Sequence, residues 1–516
     1  MAIPDSAVSS GLRCYLYLTA AVTGAAIMIV EILGAKMLAP YLGTSHFVWT
    51  AQIAVTLVAL ACGYYAGGRL VDKSLRLGRL YGAILGAGAY LGLTVAMSKP
   101  VAYGLLQFDL ALGSLLTSAF LFFLPLALLA MVGPFLIRIL TISINTVGGN
   151  VGRLTAMSTF GSFLGTILIG YLLIPFLPNS VTMFLTALVL MLIAFGYFVI
   201  WRRTLQATVV AALILALGAT AGWLGVRQER LTAANVTELY HGNSNFGLLQ
   251  VLQSKNSPLR LYLNDYLTQN TYDTNAHQST SMFTFMLHML AQAYTPKIED
   301  VLCIGLGVGV VPMEFARDGA RVDVVEINPA IVPVAAKFFE LEPKRLNISI
   351  GDGRCYVNRS TRKYDAIILD AFLGDSSPSH LMTREAFSAI MNDLKPEGTL
   401  VINTFGDFEP GQDFLAASLS KTLRAVFPSV RIHKGGYGNT LFVASRNANL
   451  SMVHPPNFDR VHNNCVAQVK DAFDTLRETH PGHGIILTDD FNPVEFYDAR
   501  NRETMRRYLA NWVHEL

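Results

Sequence analysis

Seven long apolar stretches fill the first 226 residues, after which the hydrophobic pattern shortens and begins to alternate. Candidate spans lie near 15–38, 47–68, 80–98, 112–137, 154–176, 180–201 and 207–226. A bilayer core of ~30 Å needs ~20 apolar residues per helix, so each stretch is long enough to cross one. The fourth belongs to a longer region, 101–140, that could instead hold a hairpin and raise the count to eight. From Val236 to Leu267 the text alternates, NFGLLQVLQ and then LRLYLNDYL, with SerLysAsnSerPro between, which predicts a β-hairpin. Ser279 to Tyr294 has helical apolar spacing with His288 inside it, and a lone histidine on such a face reads most simply as a satisfied core residue.

Beyond Lys297, short apolar runs that end in a glycine or an acid alternate with helix-length segments. Strands are predicted at 300–304, 322–326, 346–350, 365–369 and 399–403, with helices at 383–394 and 411–425. LysProGluGly at 395–398 reads as a turn, and 430–433 with 440–444 as a closing antiparallel pair. This is a doubly wound α/β sheet. The chain therefore divides into a helical membrane domain over 1–230, a small β-hairpin unit over 235–275 and a sheet domain over 276–516.

Composition changes this picture little. A net charge of +3 over 516 residues gives no case for nucleic acid. Five scattered cysteines show no paired spacing, so neither a disulfide framework nor a metal site is expected. The run Tyr15 to Met37 holds Glu31 and Lys36 and is followed by further spans, unlike a removable signal peptide. Glu31 reads either as bundle glue, with Lys36 as its candidate partner, or as a transport or substrate group, because a carboxylate at membrane depth is costly. Basic residues gather at 69–79, 138–153 and 202–203; with seven spans these loops share one face, which the charge rule calls cytoplasmic. The sheet domain would then lie outside, whereas its chemistry argues for the cytosol; eight spans would return it there.

That chemistry comes from the strand ends, where open α/β sheets bind ligands. Gly305, Gly307 and Gly309 follow the first strand and open a helix, letting backbone N–H groups approach a ligand. Glu326 ends the second strand, placed to accept both hydroxyls of a ribose. Asp352, in GlyAspGly with Gly353, can accept the exocyclic amine of an adenine. Asp370 ends the fourth strand, IleIleLeuAsp, where it could orient and deprotonate an amine. Asp375 could add a second acid from the following loop. Three acids and a glycine turn on one rim read as a nucleoside site.

On these residues the segment 240–445 resembles the spermidine synthases, the polyamine aminopropyltransferases. Gly305, Gly307 and Gly309 match that family's glycine turn, Glu326 its ribose acid, Asp352 and Gly353 its adenine-contacting pair, and Asp370 the first acid of its catalytic pair. Phe246, Gly247, Val251 and Leu263 fit its hairpin. The resemblance implies a Rossmann-like, class I methyltransferase-type fold and decarboxylated S-adenosylmethionine as co-substrate, with no metal. It implies a small-molecule amine acceptor and leaves a homodimer open. The sequence departs from the family at the amine end: Val308 replaces an aspartate, Leu373 stands at the second acid, and about Met282 replaces a tyrosine. Thr268, or Gln269 after a one-residue shift, stands for its glutamine. The architecture resembles membrane-fused, spermidine-synthase-like proteins of the bacterial inner membrane. Two rival readings stay open: ordinary S-adenosylmethionine with methyl transfer to a membrane-delivered substrate, and a transporter with a non-catalytic nucleoside sensor.

Overall fold

The computed structural model describes residues 9–43, 45–141, 147–228, 235–372, 378–406, 408–409, 412–435, 438–479 and 483–496. The chain separates into two compact units, Met1–Leu231 and Thr232–Leu516.

In the first unit the described residues form seven helices long and apolar enough to cross a membrane. They are α1 (Ser10–Leu42), α2 (His46–Lys73), α3 (Leu77–Leu105), α4 (Leu110–Leu140), α5 (Val147–Phe176), α6 (Asn179–Arg202) and α7 (Leu205–Arg227). The hairpin alternative for 101–140 is not formed, because α4 runs through as one span. It does so with a π-helical turn at Ala119–Phe123, just before Pro125; α5 repeats the device at Ile169–Leu173, before Pro175. Proline lacks an N–H and crowds the preceding turn, so the wider turn relieves both problems. Small residues set the packing. Gly161 and Gly165 of α5 lie on the backbone of Ala21 and Ala25 in α1, where any Cβ would collide. Glu31 is half-buried on α1.

The second unit opens with more than the expected hairpin. Strands β1 (Val236–Ser244), β2 (Gly247–Ser254), β3 (Leu259–Asn264), β4 (Leu267–Asp273) and β5 (Gln278–Ser279) make a five-stranded antiparallel sheet in sequential order. The hairpin runs became β2 and β3, whereas β1, β4 and β5 escaped the pattern because VTELYHGNS, TQNTYD and QS carry little apolar alternation. Helix α8 (Met282–Tyr294) follows, with His288 buried and its Nε2 2.7 Å from Asp318 Oδ2, a satisfied core histidine.

The main sheet has seven strands in the order β11-β12-β10-β9-β6-β7-β8. These are β6 (Asp300–Ile304), β7 (Arg321–Glu326), β8 (Asn347–Ile350), β9 (Tyr364–Leu369), β10 (Leu394–Phe405), β11 (Ser429–Lys434) and β12 (Asn439–Ser445). β6 to β10 pair in parallel, while β12 runs antiparallel between β10 and β11. Period-two alternation sends Val301, Cys303, Ala366 and Ile368 to one face and Leu302, Ile304, Ile367 and Leu369 to the other. Each face is covered: the first by α8, α9 (Val310–Arg317), α10 (Ile331–Phe338) and α14 (Val466–Asp474), the second by α11 (Gly353–Arg359), α12 (Arg384–Asp393) and α13 (Phe414–Arg424). Burial on both sides explains why the central strands β6 and β9 read as apolar runs, whereas β8 at the sheet edge is partly exposed. LysProGluGly is no terminal turn: β10 begins before it, and its register with β9 steps from Leu394–Tyr364 to Thr399–Ala366, so the stretch bulges inside the strand. Strand order reverses between β6 and β9, the place where such sheets open a crevice.

Candidate active site

The crevice between the ends of β6 and β9 is a cavity of about 300 Å³. Gly305, Gly307, Glu326, Asp352, Gly353, Asp370 and Gln269 all line it, so the rim inferred from strand ends is one site. Gly309 does not: it caps α9 from behind and lines a neighbouring cavity with Val310. Asp375 and Leu373 lie outside the described residues. Val308 lines the cavity as a buried apolar wall.

Gly305 has φ +100°, and a Cβ there would collide with the backbone oxygen of Asp370. Glycine is required because the chain turns left-handed where β6 and β9 converge. Its N–H donates to Val325 O (2.9 Å), and Asp370 N–H donates to Ile304 O (3.0 Å), locking the three strand ends together.

Glu326 is held by the turn it faces: Oε2 accepts from Leu306 N–H (2.8 Å) and Oε1 from Asn328 N–H (2.7 Å). Burial pushes its carboxyl above the usual range, and these N–H groups oppose that without cancelling it. Asp352 caps α11, with Oδ1 accepting from Cys355 N–H (2.8 Å) and Oδ2 lying 2.8 Å from His380 Nε2. Burial works against it, yet Cys355 N–H and the imidazole together hold its carboxyl below the usual range. The two acids are thus poised differently, one dry and one wired.

Asp370 is the most perturbed of the three. Burial pushes its carboxyl up to about 6, against the pull of Asn403 Nδ2, which donates to Oδ1 at 2.9 Å. Phe283, Phe372 and Phe405 line the same cavity, with the last two rings 5.3 Å apart. A carboxylate in apolar surroundings with a raised pKa, inside a cleft, is the arrangement expected of a general base.

Sequence reasoning missed Asn403 and His380. Asn403 lies near the carboxyl end of β10, the fifth parallel strand, so a strand-end reading extended two residues inward would have included it. His380 carried no local signal; a 28-residue separation from Asp352 is closed only by the fold.

Residues 281–433 match the model of the spermine/spermidine synthase domain. The chain is 39% identical over 140 residues to a polyamine aminopropyltransferase of Vibrio vulnificus, covering 26% of this chain and 45% of that protein. It is 33% identical over 141 residues to an N-terminal histidine N-methyltransferase of Emericella nidulans, covering 26% of this chain and 24% of that one. The matched stretches span less than half of either relative. Among solved structures, a spermidine synthase from Thermotoga maritima aligns at 23% identity over 41% of this chain and 74% of that chain, with a TM-score of 0.36.

Proposed function

The C-terminal region carries a spermidine synthase domain, and from that premise we propose that the protein is a membrane-integral transferase moving an aminopropyl group from decarboxylated S-adenosylmethionine to an amine. The observation that carries the proposal is the convergence of Glu326, Asp352 and Asp370 with the Gly305–Gly307 turn on one cavity. Glu326 would take the ribose hydroxyls, Asp352 the adenine amine, and the turn's backbone the space between. Asp370 would face the sulfonium end.

The reaction is one displacement. The amine nitrogen forms a bond to the carbon next to sulfur, the carbon–sulfur bond breaks, and its electron pair stays on sulfur as a neutral thioether. The new ammonium then loses a proton to Asp370, which passes it to water. Alignment of attacker, carbon and leaving sulfur is the main contribution, worth ~7–11 kcal/mol in well-oriented cases. The acceptor is a small amine such as a polyamine. Seven apolar helices support membrane integration, and the bacterial inner membrane is the proposed location. The supply of the nucleoside favours the cytosolic side for the catalytic unit, against the charge bias of the loops.

A second reading has two observations in its favour: the relative named as an N-methyltransferase, and apolar Val308 on the cavity wall. There ordinary S-adenosylmethionine would give up its methyl group on the same carboxylate-assisted path. Incubating the purified full-length protein with each sulfonium and an amine mixture separates them. Methylthioadenosine is the product expected; S-adenosylhomocysteine would replace this reading with methyl transfer, and no turnover of either would remove both.

A further inference from the structure

The motif LeuThrAspAspPheAsnProVal at 487–494 lies far along the chain from the rim and has no part in the chemistry above, yet it reaches that rim through side chains. Asp489 Oδ1 accepts from Thr383 Oγ1 (2.6 Å), and its Oδ2 accepts from Arg354 Nη2 (2.9 Å). Arg354 Nη1 also donates to Thr383 Oγ1 (3.1 Å), closing a three-membered ring of contacts. Asn492 Nδ2 donates to Ser379 O (2.8 Å), and Arg384 N–H donates to Leu487 O (2.8 Å). Leu487 and Val494 are sunk with Leu415 in a small apolar cluster, which anchors the motif at both ends.

Arg354, Ser379 and Thr383, which the motif grips, flank one carboxylate or its imidazole partner. Arg354 stands two residues after Asp352 at the start of α11. Ser379 and Thr383 bracket His380, whose Nε2 lies 2.8 Å from Asp352 Oδ2. Pro378, His380 and Leu381 line the cavity beside Asp352 and Gly353. The wall of the cavity and the acid on it are thus tied from outside by one strap. We propose that the 487–492 segment is a positioning device for nucleoside binding, with Asp489 acting through Thr383, Arg354 and His380 to hold the Asp352 carboxylate toward the base.

The proposal rests on reading the cavity as a nucleoside site. It differs from simple surface ion pairing, which contributes little by itself, because the contacts converge on a half-buried arginine and a helix-capping threonine. Support of a binding group from behind is worth about one charge-assisted hydrogen bond, or roughly tenfold in affinity.

The test is a double-mutant cycle on the full-length protein in detergent, with methylthioadenosine binding read by calorimetry. Asp489→Asn and His380→Ala are each expected to weaken binding about tenfold. The double variant should be weaker by about tenfold again only if they act separately; acting through one carboxylate, it stays near either single. His380→Gln, which keeps a donor, should restore most of the affinity. Should Asp489→Asn fail to fold, Thr383→Val takes its place in the cycle, with Thr383→Ser as the conservative rescue. Full affinity in the single variants, or additive losses in the double, overturns the strap while leaving the nucleoside reading standing. A wild-type protein that binds no methylthioadenosine overturns that reading, and the strap with it.

Discussion

Asp370→Asn is expected to lower turnover by about a hundred- to ten-thousandfold, the range for loss of a positioned base, while nucleoside affinity stays within about tenfold. The amide keeps the shape and the contact with Asn403, but it cannot accept the proton that the attacking nitrogen gives up. The wild-type rate should fall as the pH drops through about 6, because burial pushes the Asp370 carboxyl to about 6 and only its ionised form works. The sign for stability is opposite. A folded-state value above the usual one means the folded protein holds that proton more tightly, so acidification from neutrality through 6 favours the fold at this position even as it switches off the base. A pH–rate profile of kcat/KM and single-turnover analysis of the variant read the catalytic effects, and thermal melts across the same pH range read the stability. An asparagine variant as active as the parent would remove Asp370 from the mechanism.

Glu326→Ala should act on binding instead. Both carboxylate oxygens are taken by backbone N–H groups of Leu306 and Asn328, at 2.8 and 2.7 Å, so this side chain holds the turn as well as facing the ligand. Its removal leaves two buried donors unpaired, at ~1–3 kcal/mol each unless water replaces them. Nucleoside affinity is expected to fall by about a hundredfold or more, the loss of two charge-assisted contacts to a ribose. The melting temperature should drop by several degrees alongside. Calorimetry with methylthioadenosine checks the first and a thermal melt the second; unchanged affinity would mean that the ribose lies elsewhere.

Much of this site was legible in the residue pattern because the α/β fold ties position to chemistry. A buried parallel strand must be apolar along its length, so the first polar group after it marks a loop at the ligand edge. Glu326, Asp352 and Asp370 were found that way, and the glycines by the backbone freedom a tight strand-to-helix turn demands. Asn403 escaped that rule because it sits inside β10, two residues before the strand ends. What stayed hidden depends on contacts between distant segments. His380 meets Asp352, and Asp489 meets Thr383 across 106 residues, with nothing local to announce either pairing. The extra strands β4 and β5 were hidden for another reason: short polar strands owe their structure to neighbours rather than to their own periodicity. Gly309 shows the limit of motif reading, since the third glycine of the turn caps α9 and lines a neighbouring cavity instead of the one that the first two line. The long apolar helices were visible because an unbroken apolar run marks each one, but the π-turns before Pro125 and Pro175 need the proline's missing N–H to be considered as well.

The most direct measurement is a structure of the full-length protein bound to methylthioadenosine. The ribose hydroxyls should sit on Glu326, the adenine amine on Asp352, and the sulfur on the Asp370 side among Phe283, Phe372 and Phe405. A nucleoside bound outside this cavity, or turned so that its adenine lies against Asp370, would contradict the account.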